Sequence, residues 1–297
     1  MGALRIWLMA ARPRTLPAAI APVLVGSAAA WSQLGNRSSD FSWLSFLAAL
    51  IGAIFIQIGT NLANDYSDAK RGADTVDRLG PVRVTASGLA APRRVLYATW
   101  AAFGIAALAG IYLTIAVGPE ILLIGIASIV AGVLYTGGPK PYGYEGLGEV
   151  FVFVFFGLVA VNGSYYVQLE ELDALPLLLS VPVGLLSAAI LVVNNIRDID
   201  TDRRAGKRTL AVRLGRERTR TLFTAMVVAS YLLLPLALAL GDGSAWGLLG
   251  LLSLPLAAGP LRAVRERTDG PALNGALAGT GALLGAFALL VSLGLLL

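Results

Sequence analysis

Two clusters of asparagine and aspartate carry spacings that chemistry can use. In NLANDYSDAKRGADTVDRLGPVRVTASG, residues 61–88, Asn61, Asp65 and Asp68 fall at i, i+4 and i+7, which is one face of a helix. In NNIRDIDTDRRAGKRTLAVRLG, residues 194–215, Asn194, Asp198 and Asp202 fall at i, i+4 and i+8, again one face. A lone Asp near a helix end is usually a solvated cap, but two matching clusters ask for more. Carboxylates facing one another repel unless cations lie between them. Magnesium suits that place, because it takes one or two carboxylates, keeps waters, and completes its shell with substrate phosphate oxygens. Neighbouring Arg and Lys would grip the rest of a diphosphate, Arg as a fork and Lys as a point charge. The chain has no His and no Cys. That excludes imidazole bases, thiolate zinc sites, cysteine nucleophiles and disulfides, so any metal is held by oxygen.

The elements that position these clusters are membrane helices. Hydrophobic residues make up 57% of the 297 and charged residues 14%, far fewer charges than the roughly 25% of a soluble domain. Apolar runs of about 20 residues match the length that crosses a bilayer. The expected spans are 16–34, 41–63, 95–117, 121–137, 147–168, 175–196, 222–240, 246–261 and 272–297. The eighth is interrupted by Pro255 and Pro260, so a kink is expected there. All of the 23 lysines and arginines except Arg37 then fall on one side, and the positive-inside rule makes that side cytoplasmic. The N-terminus is expected inside and the C-terminus outside. This asymmetry also accounts for the pI of about 9.7 without nucleic acid as a partner. Residues 1–14 lack the apolar core and cleavage site of a signal peptide. The expectation is an all-α polytopic protein, a single integral membrane domain over 1–297. Nine transmembrane helices surround a central cavity, as two pseudo-repeated four-helix halves plus one extra helix. The Asp-rich loops, about 61–94 and 194–220, lie on the cytoplasmic face of a prokaryotic plasma membrane. Paired Asp clusters, basic loops and an apolar helical cavity imply a diphosphate with a greasy tail.

Other features read as structural. Gly275, Gly279, Gly281 and Gly285 form small-xxx-small pairs suited to close helix packing. The fragment around Gly206-Lys207 is not a phosphate loop, because Thr201 stands where that motif requires its first glycine. Trp7, Trp31, Trp43 and Trp246 sit near span ends as interfacial anchors.

Longer strings carry a family likeness: RPRT at 12–15, NDYSDAKRGAD at 64–74, DRLGPVR at 77–83, YTGGPKPYGYEGLGEVFVFVFFG at 135–157, and the second Asp segment. The chain resembles the intramembrane aromatic prenyltransferase superfamily of UbiA type. Within it the likeness is to the branch that prenylates 1,4-dihydroxy-2-naphthoate in menaquinone synthesis. The superfamily's Asn-Asp-x-x-Asp motif matches Asn64, Asp65 and Asp68, and its Asp-x-x-x-Asp motif matches Asp198 and Asp202. Hydroxybenzoate-type members carry a third Asp four residues after Asp68, where this chain has Gly72; Asp74 and Gly80-Pro81-Val82-Arg83 follow instead. That departure favours the naphthoate branch.

The resemblance implies magnesium-dependent ionisation of a polyprenyl diphosphate, attack by the electron-rich ring, and loss of carbon dioxide to give a demethylmenaquinol. It implies that Asp65, Asp68, Asp198 and Asp202 hold the magnesium, with Asn61, Asn64 and Asn194 as polar partners. Arg83, Lys140 and Lys207 are the residues for diphosphate or the acceptor carboxylate, and Tyr135 lies in the central loop. Arg197 either joins them or pairs with an Asp. Asp74, Asp77 and Asp200 stand open between supporting the site and lying solvated in a loop. The alternatives are the same chemistry on 4-hydroxybenzoate, or a cation-coupled secondary transporter, whose sites usually lie near the bilayer midplane.

Overall fold

The computed structural model describes residues 2–35, 40–73 and 79–297. Arg37, Asp74 and Asp77 lie outside the described residues. The described residues are all helical, with no strand. A short helix α1 (Ala3–Ala11) turns at Arg12, whose backbone is left-handed at φ 53°, and leads into α2 (Pro17–Leu34). Then come α3 (Trp43–Lys70), α4 (Pro92–Ala116), α5 (Glu120–Leu134), α6 (Gly148–Leu169) and α7 (Ala174–Arg204). The short α8 (Leu210–Leu214) precedes α9 (Arg216–Leu240), α10 (Ala245–Glu266) and α11 (Gly270–Leu295).

Local sequence explains where several of these start. Ser42 caps α3 by accepting from the Ser45 amide, and Asp269 caps α11 by accepting from Ala272. Both side chains satisfy an amide that a helix start otherwise leaves orphaned. Proline opens α2, α4 and α11, where its missing N–H costs nothing.

Among the described residues, eight helices are long and apolar enough to cross a bilayer: α2, α3, α4, α6, α7, α9, α10 and α11. They coincide with eight of the nine expected spans. The fourth expected span appears as α5, with 15 residues. At about 1.5 Å per residue it reaches roughly 22 Å, short of the ~30 Å hydrocarbon core. It stops because Gly137, Gly138 (φ +71°) and Pro139 follow. The kink expected near Pro255 is a change of helix type: a 3-10 helix from Ala245 to Ala257 gives way to α-helix from Ala258.

α2 and α7 form the middle of the bundle. α7 packs on α9, α6, α11 and α2, while α3 lies against α4, α5 and α2. Leu179, Val183, Leu186 and Phe287 are sealed in this core. Leu108, Ile115, Leu123, Leu232 and Leu252 are exposed, the outward apolar surface of a protein solvated by lipid. α2 and α6 meet at Gly26, where a Cβ would sit 2.1 Å from the Val161 carbonyl oxygen; only glycine permits that approach.

α6 departs from regular geometry between Phe153 and Val159, where it winds as a π-helix. Val152, Phe155, Phe156 and Val159 from this stretch line one cavity wall. Such bulges recur at functional sites.

Candidate active site

A cavity of about 340 Å³ runs inside the bundle. Asp68, near the end of α3, and Ala49, near its start, both line it. Nineteen residues of helix separate them, so the cavity is about 28 Å deep along α3. The Asp68 end is charged: Arg12, Arg83 and Lys207 share it with Asp68, Asp198 and Asp202. The length beyond is apolar, walled by Gly52, Ala53, Gly110, Ile124 and Val159 down to Leu113, Ile121 and Val167.

α3 and α7 carry the clusters, and both run on past their apolar stretches. α3 continues to Lys70 and α7 to Arg204, because Asn61, Asn64, Asp68, Asn195 and Asp198 are buried against polar partners rather than lipid. The spacing predicted one face for Asn61, Asp65 and Asp68 and one for Asn194, Asp198 and Asp202. The second set lines the cavity from α7, whereas from α3 the lining residues are Asn61, Asn64 and Asp68, with Asp65 turned away.

Asp68 is the centre of the charged end. It is 1% exposed and is met by three side chains from three different loops. Arg83 donates to its Oδ2 at 2.9 Å, Lys207 lies 3.5 Å from Oδ1, and the Tyr144 hydroxyl donates to Oδ1. Lys207 also sits 4.7 Å over the Tyr144 ring, a cation–π contact. Backbone bonds hold the loops together: the Arg208 amide donates to Tyr144 O at 2.8 Å and the Lys207 amide to Asp202 O at 2.9 Å.

Across the cavity Asp198 is clasped by Arg197, with Nε on Oδ1 at 2.8 Å and a second bond to Oδ2. Arg197 is 1% exposed and also donates to Asn194 Oδ1 and Asn274 Oδ1, both at 2.8 Å. It therefore ties α7 to α11 from behind and does not line the cavity. Asn61 donates to Ala11 O and Thr15 Oγ1, and Asn64 accepts from Thr136 at 2.8 Å. Tyr135 lines the cavity beside Tyr142, which stacks on Phe151 at 3.9 Å between centroids. Burial pushes the Tyr142 phenol well above its usual range. It therefore stays a proton donor, to Ala131 O at 2.9 Å.

Besides Arg197, two expected site residues lie outside the cavity lining. Asp65 does not line the cavity. Its oxygens accept the Val84 and Thr85 amides at 3.0 and 2.9 Å, because it points from α3 toward the loop that carries Arg83. Lys140 is exposed and outside the cavity lining, following the Gly138-Pro139 turn away from the charged end. Asp200 pairs with Arg216 at 2.9 Å in an exposed position. Conversely, Arg12, Thr15, Tyr144 and Asn195 line the cavity without having been singled out. All four lie inside the strings that carry the family likeness, and only their contacts separate them from their neighbours.

Every donor at the charged end that could hold a metal is an oxygen of Asp or Asn, which fits a hard divalent cation. Among the described residues no three carboxylates gather into one metal cage.

The UbiA prenyltransferase family model matches residues 19–278. The chain is 45% identical over 276 residues to 1,4-dihydroxy-2-naphthoate octaprenyltransferase of Mycobacterium leprae (strain TN), covering 93% of this chain and 90% of the relative. It is 40% identical over 286 residues to the protein of that name from Escherichia coli (strain K12), covering 94% and 91%. Its fold is similar to that of a UbiA homolog from Archaeoglobus fulgidus bound to DMAPP and Mg2+, with a TM-score of 0.64, 13% identity, and 96% and 98% of the two chains covered.

Asp65→Asn is expected to lower the midpoint of thermal unfolding in detergent. It swaps one of two acceptor oxygens for a donor facing an amide, and charge-assisted bonds of this kind contribute ~1.5–3 kcal/mol. Asp242→Asn, in an exposed turn at φ 52°, is the silent control. An unchanged melting curve for Asp65→Asn would show that the 84–85 segment closes without it.

Proposed function

The chain belongs to the UbiA prenyltransferase family, and from that premise we propose that it transfers a polyprenyl group from an allylic diphosphate to 1,4-dihydroxy-2-naphthoate, giving a demethylmenaquinol. The observation that carries this reading is the shape of one cavity, charged at one end and apolar along its length. Relatives named for naphthoate prenyl transfer, at 40–48% identity over most of the chain, support the acceptor over 4-hydroxybenzoate. The position of the Asp clusters at helix ends, and the same relatives, argue against a transporter.

In this reading Arg12, Arg83 and Lys207 bind the diphosphate, which leaves with the electron pair of the allylic C–O bond. Asp68 on one wall, and Asp198 with Asp202 on the other, would each offer one or two carboxylates to Mg2+, whose chemistry is to neutralise the negative charge that grows on the departing diphosphate. Asp65 serves by anchoring the segment next to Arg83, and Arg197 by orienting Asp198. The apolar wall shields the allylic cation from water, and the π-faces of Tyr142 and Phe151 stabilise positive charge. The ring carbon that bears the carboxylate forms the new C–C bond. Its carboxylate then leaves as carbon dioxide and returns an electron pair to the ring. No proton has to be removed from that carbon, so the lack of histidine is no obstacle.

The protein is a multi-pass membrane protein. The clustering of basic residues beside the Asp-bearing ends supports a cytoplasmic site, an N-terminus inside, a C-terminus outside and nine crossings with α5 as the shortest. A reporter fused after Leu297 is expected to read as extracytoplasmic and one inserted near residue 73 as cytoplasmic; both on one side contradicts that topology.

Membranes containing the protein should convert carboxyl-labelled dihydroxynaphthoate and a polyprenyl diphosphate to a prenylated product, with the label released as carbon dioxide. A chelator should stop the reaction, Mg2+ should restore it, and 4-hydroxybenzoate should react poorly. Label retained in the product would overturn the naphthoate assignment. Asp68→Asn and Asp202→Asn are each expected to reduce kcat by about 10²–10³, the usual loss for one electrostatic stabiliser, with Asp242→Asn unchanged. Full Mg2+-dependent turnover in both variants would remove these carboxylates from the chemistry.

A further inference from the structure

One buried acid plays no part in the reaction as described. Glu149, in the first turn of α6, is 3% exposed. Its Oε1 accepts the Asn195 side-chain amide at 2.8 Å, and its Oε2 is buried with no partner among the described residues. Burying a carboxyl with one oxygen unsatisfied is costly, and apolar packing would fill that position better.

The consequence of the contact falls on Asn195. An amide side chain offers two donors on nitrogen and an acceptor on oxygen, and it can turn over to exchange them. A carboxylate can only accept, so Asn195 gives Oε1 its NH2 group. Its carbonyl oxygen is then left over. That oxygen is bonded to no described residue and is not sealed in protein, and Asn195 lines the cavity. The result is a hydrogen-bond acceptor of fixed orientation on the wall.

We propose that the Asn195 carbonyl oxygen receives a ring hydroxyl of the aromatic acceptor, and that Glu149 is the positioning residue that keeps this oxygen turned to the cavity. The proposal rests on the prenyl-acceptor reading above and assigns the half of the site that receives the ring. The chemistry discriminates between the two substrates. A diphosphate at neutral pH has only acceptor oxygens to offer, so a carbonyl lone pair repels it. A prenyl chain has no polar group at all. A dihydroxy-aromatic ring brings hydroxyl donors, and its carboxylate is driven toward Arg and Lys instead.

The test uses the full-length protein in detergent. Binding of 1,4-dihydroxy-2-naphthoate is followed by tryptophan fluorescence without the second substrate, and KM is measured for each substrate separately. Asn195→Ala should raise the naphthoate Kd and KM about five- to tenfold, the effect of one lost hydrogen bond, and leave KM for the polyprenyl diphosphate within about twofold. Glu149→Gln should act in the same direction, because a glutamine amide lets Asn195 turn over. The double variant should bind naphthoate no more weakly than Asn195→Ala alone, since Glu149 acts through Asn195. Equal rises in both KM values, or additive losses in the double variant, would mean that the pair only packs the wall and would overturn the proposal. Should Glu149→Gln fail to accumulate, Asn195→Ala decides alone. Wild-type protein that neither binds nor prenylates naphthoate would overturn the acceptor reading itself, a result distinct from normal wild-type binding with an insensitive Asn195.

Discussion

A single buried carboxylate organises the charged end of this protein. Asp68 takes one side chain from each of three loops: Arg83 from the segment after α3, Tyr144 from the segment before α6, and Lys207 from the segment after α7. Loops on a membrane protein's polar face have water available for every backbone group, so little forces them together. Desolvating a carboxylate beside two cations is costly unless each is paired. Once Asp68 is buried, the three loops are held to it, and the end of the cavity has a defined shape.

The same constraint explains the arrangement around it. Asp65, one helical turn before Asp68, grips the backbone at Val84 and Thr85, so the segment delivering Arg83 is pinned beside its partner. Arg197 clasps Asp198 and reaches Asn274 on α11, which fixes the opposite wall to the rest of the bundle. Carboxylates that would otherwise repel one another across the cavity are therefore interleaved with basic and amide groups. Below this polar end, glycine and alanine on α3 and α4 and the π-helical turn of α6 leave an apolar passage. Charge at one end and hydrocarbon along the length are the two halves of an allylic diphosphate.

Most of the helices were legible in the chain because lipid demands long apolar runs. The helix ends were not. α3 and α7 continue beyond residues 63 and 196, where hydropathy falls, since the polar residues there turn inward to one another and a hydropathy reading counts them as solvated. The fourth span ends three residues before residue 137 for a different reason: no charge interrupts the chain there, but Gly137, Gly138 at positive φ and Pro139 end the element.

Composition and i, i+4 spacing are local properties, so the class of molecule, the two polar clusters at helix ends and the absence of imidazole and thiol chemistry can be read directly from the chain. Which members of each cluster reach the cavity depends on how the helices and loops pack. Asp65 and Asp68 stand three residues apart in one motif, yet one faces a loop backbone and the other faces the cavity. Lys140 and Lys207 are both basic residues in short loops, yet one is exposed and the other is buried against Asp68. Glu149 read as one more residue of an apolar span, and its hold on Asn195 joins positions 46 apart in the chain. Such choices depend on where loops close on helices, and that is set by long-range pairing, which no local pattern contains.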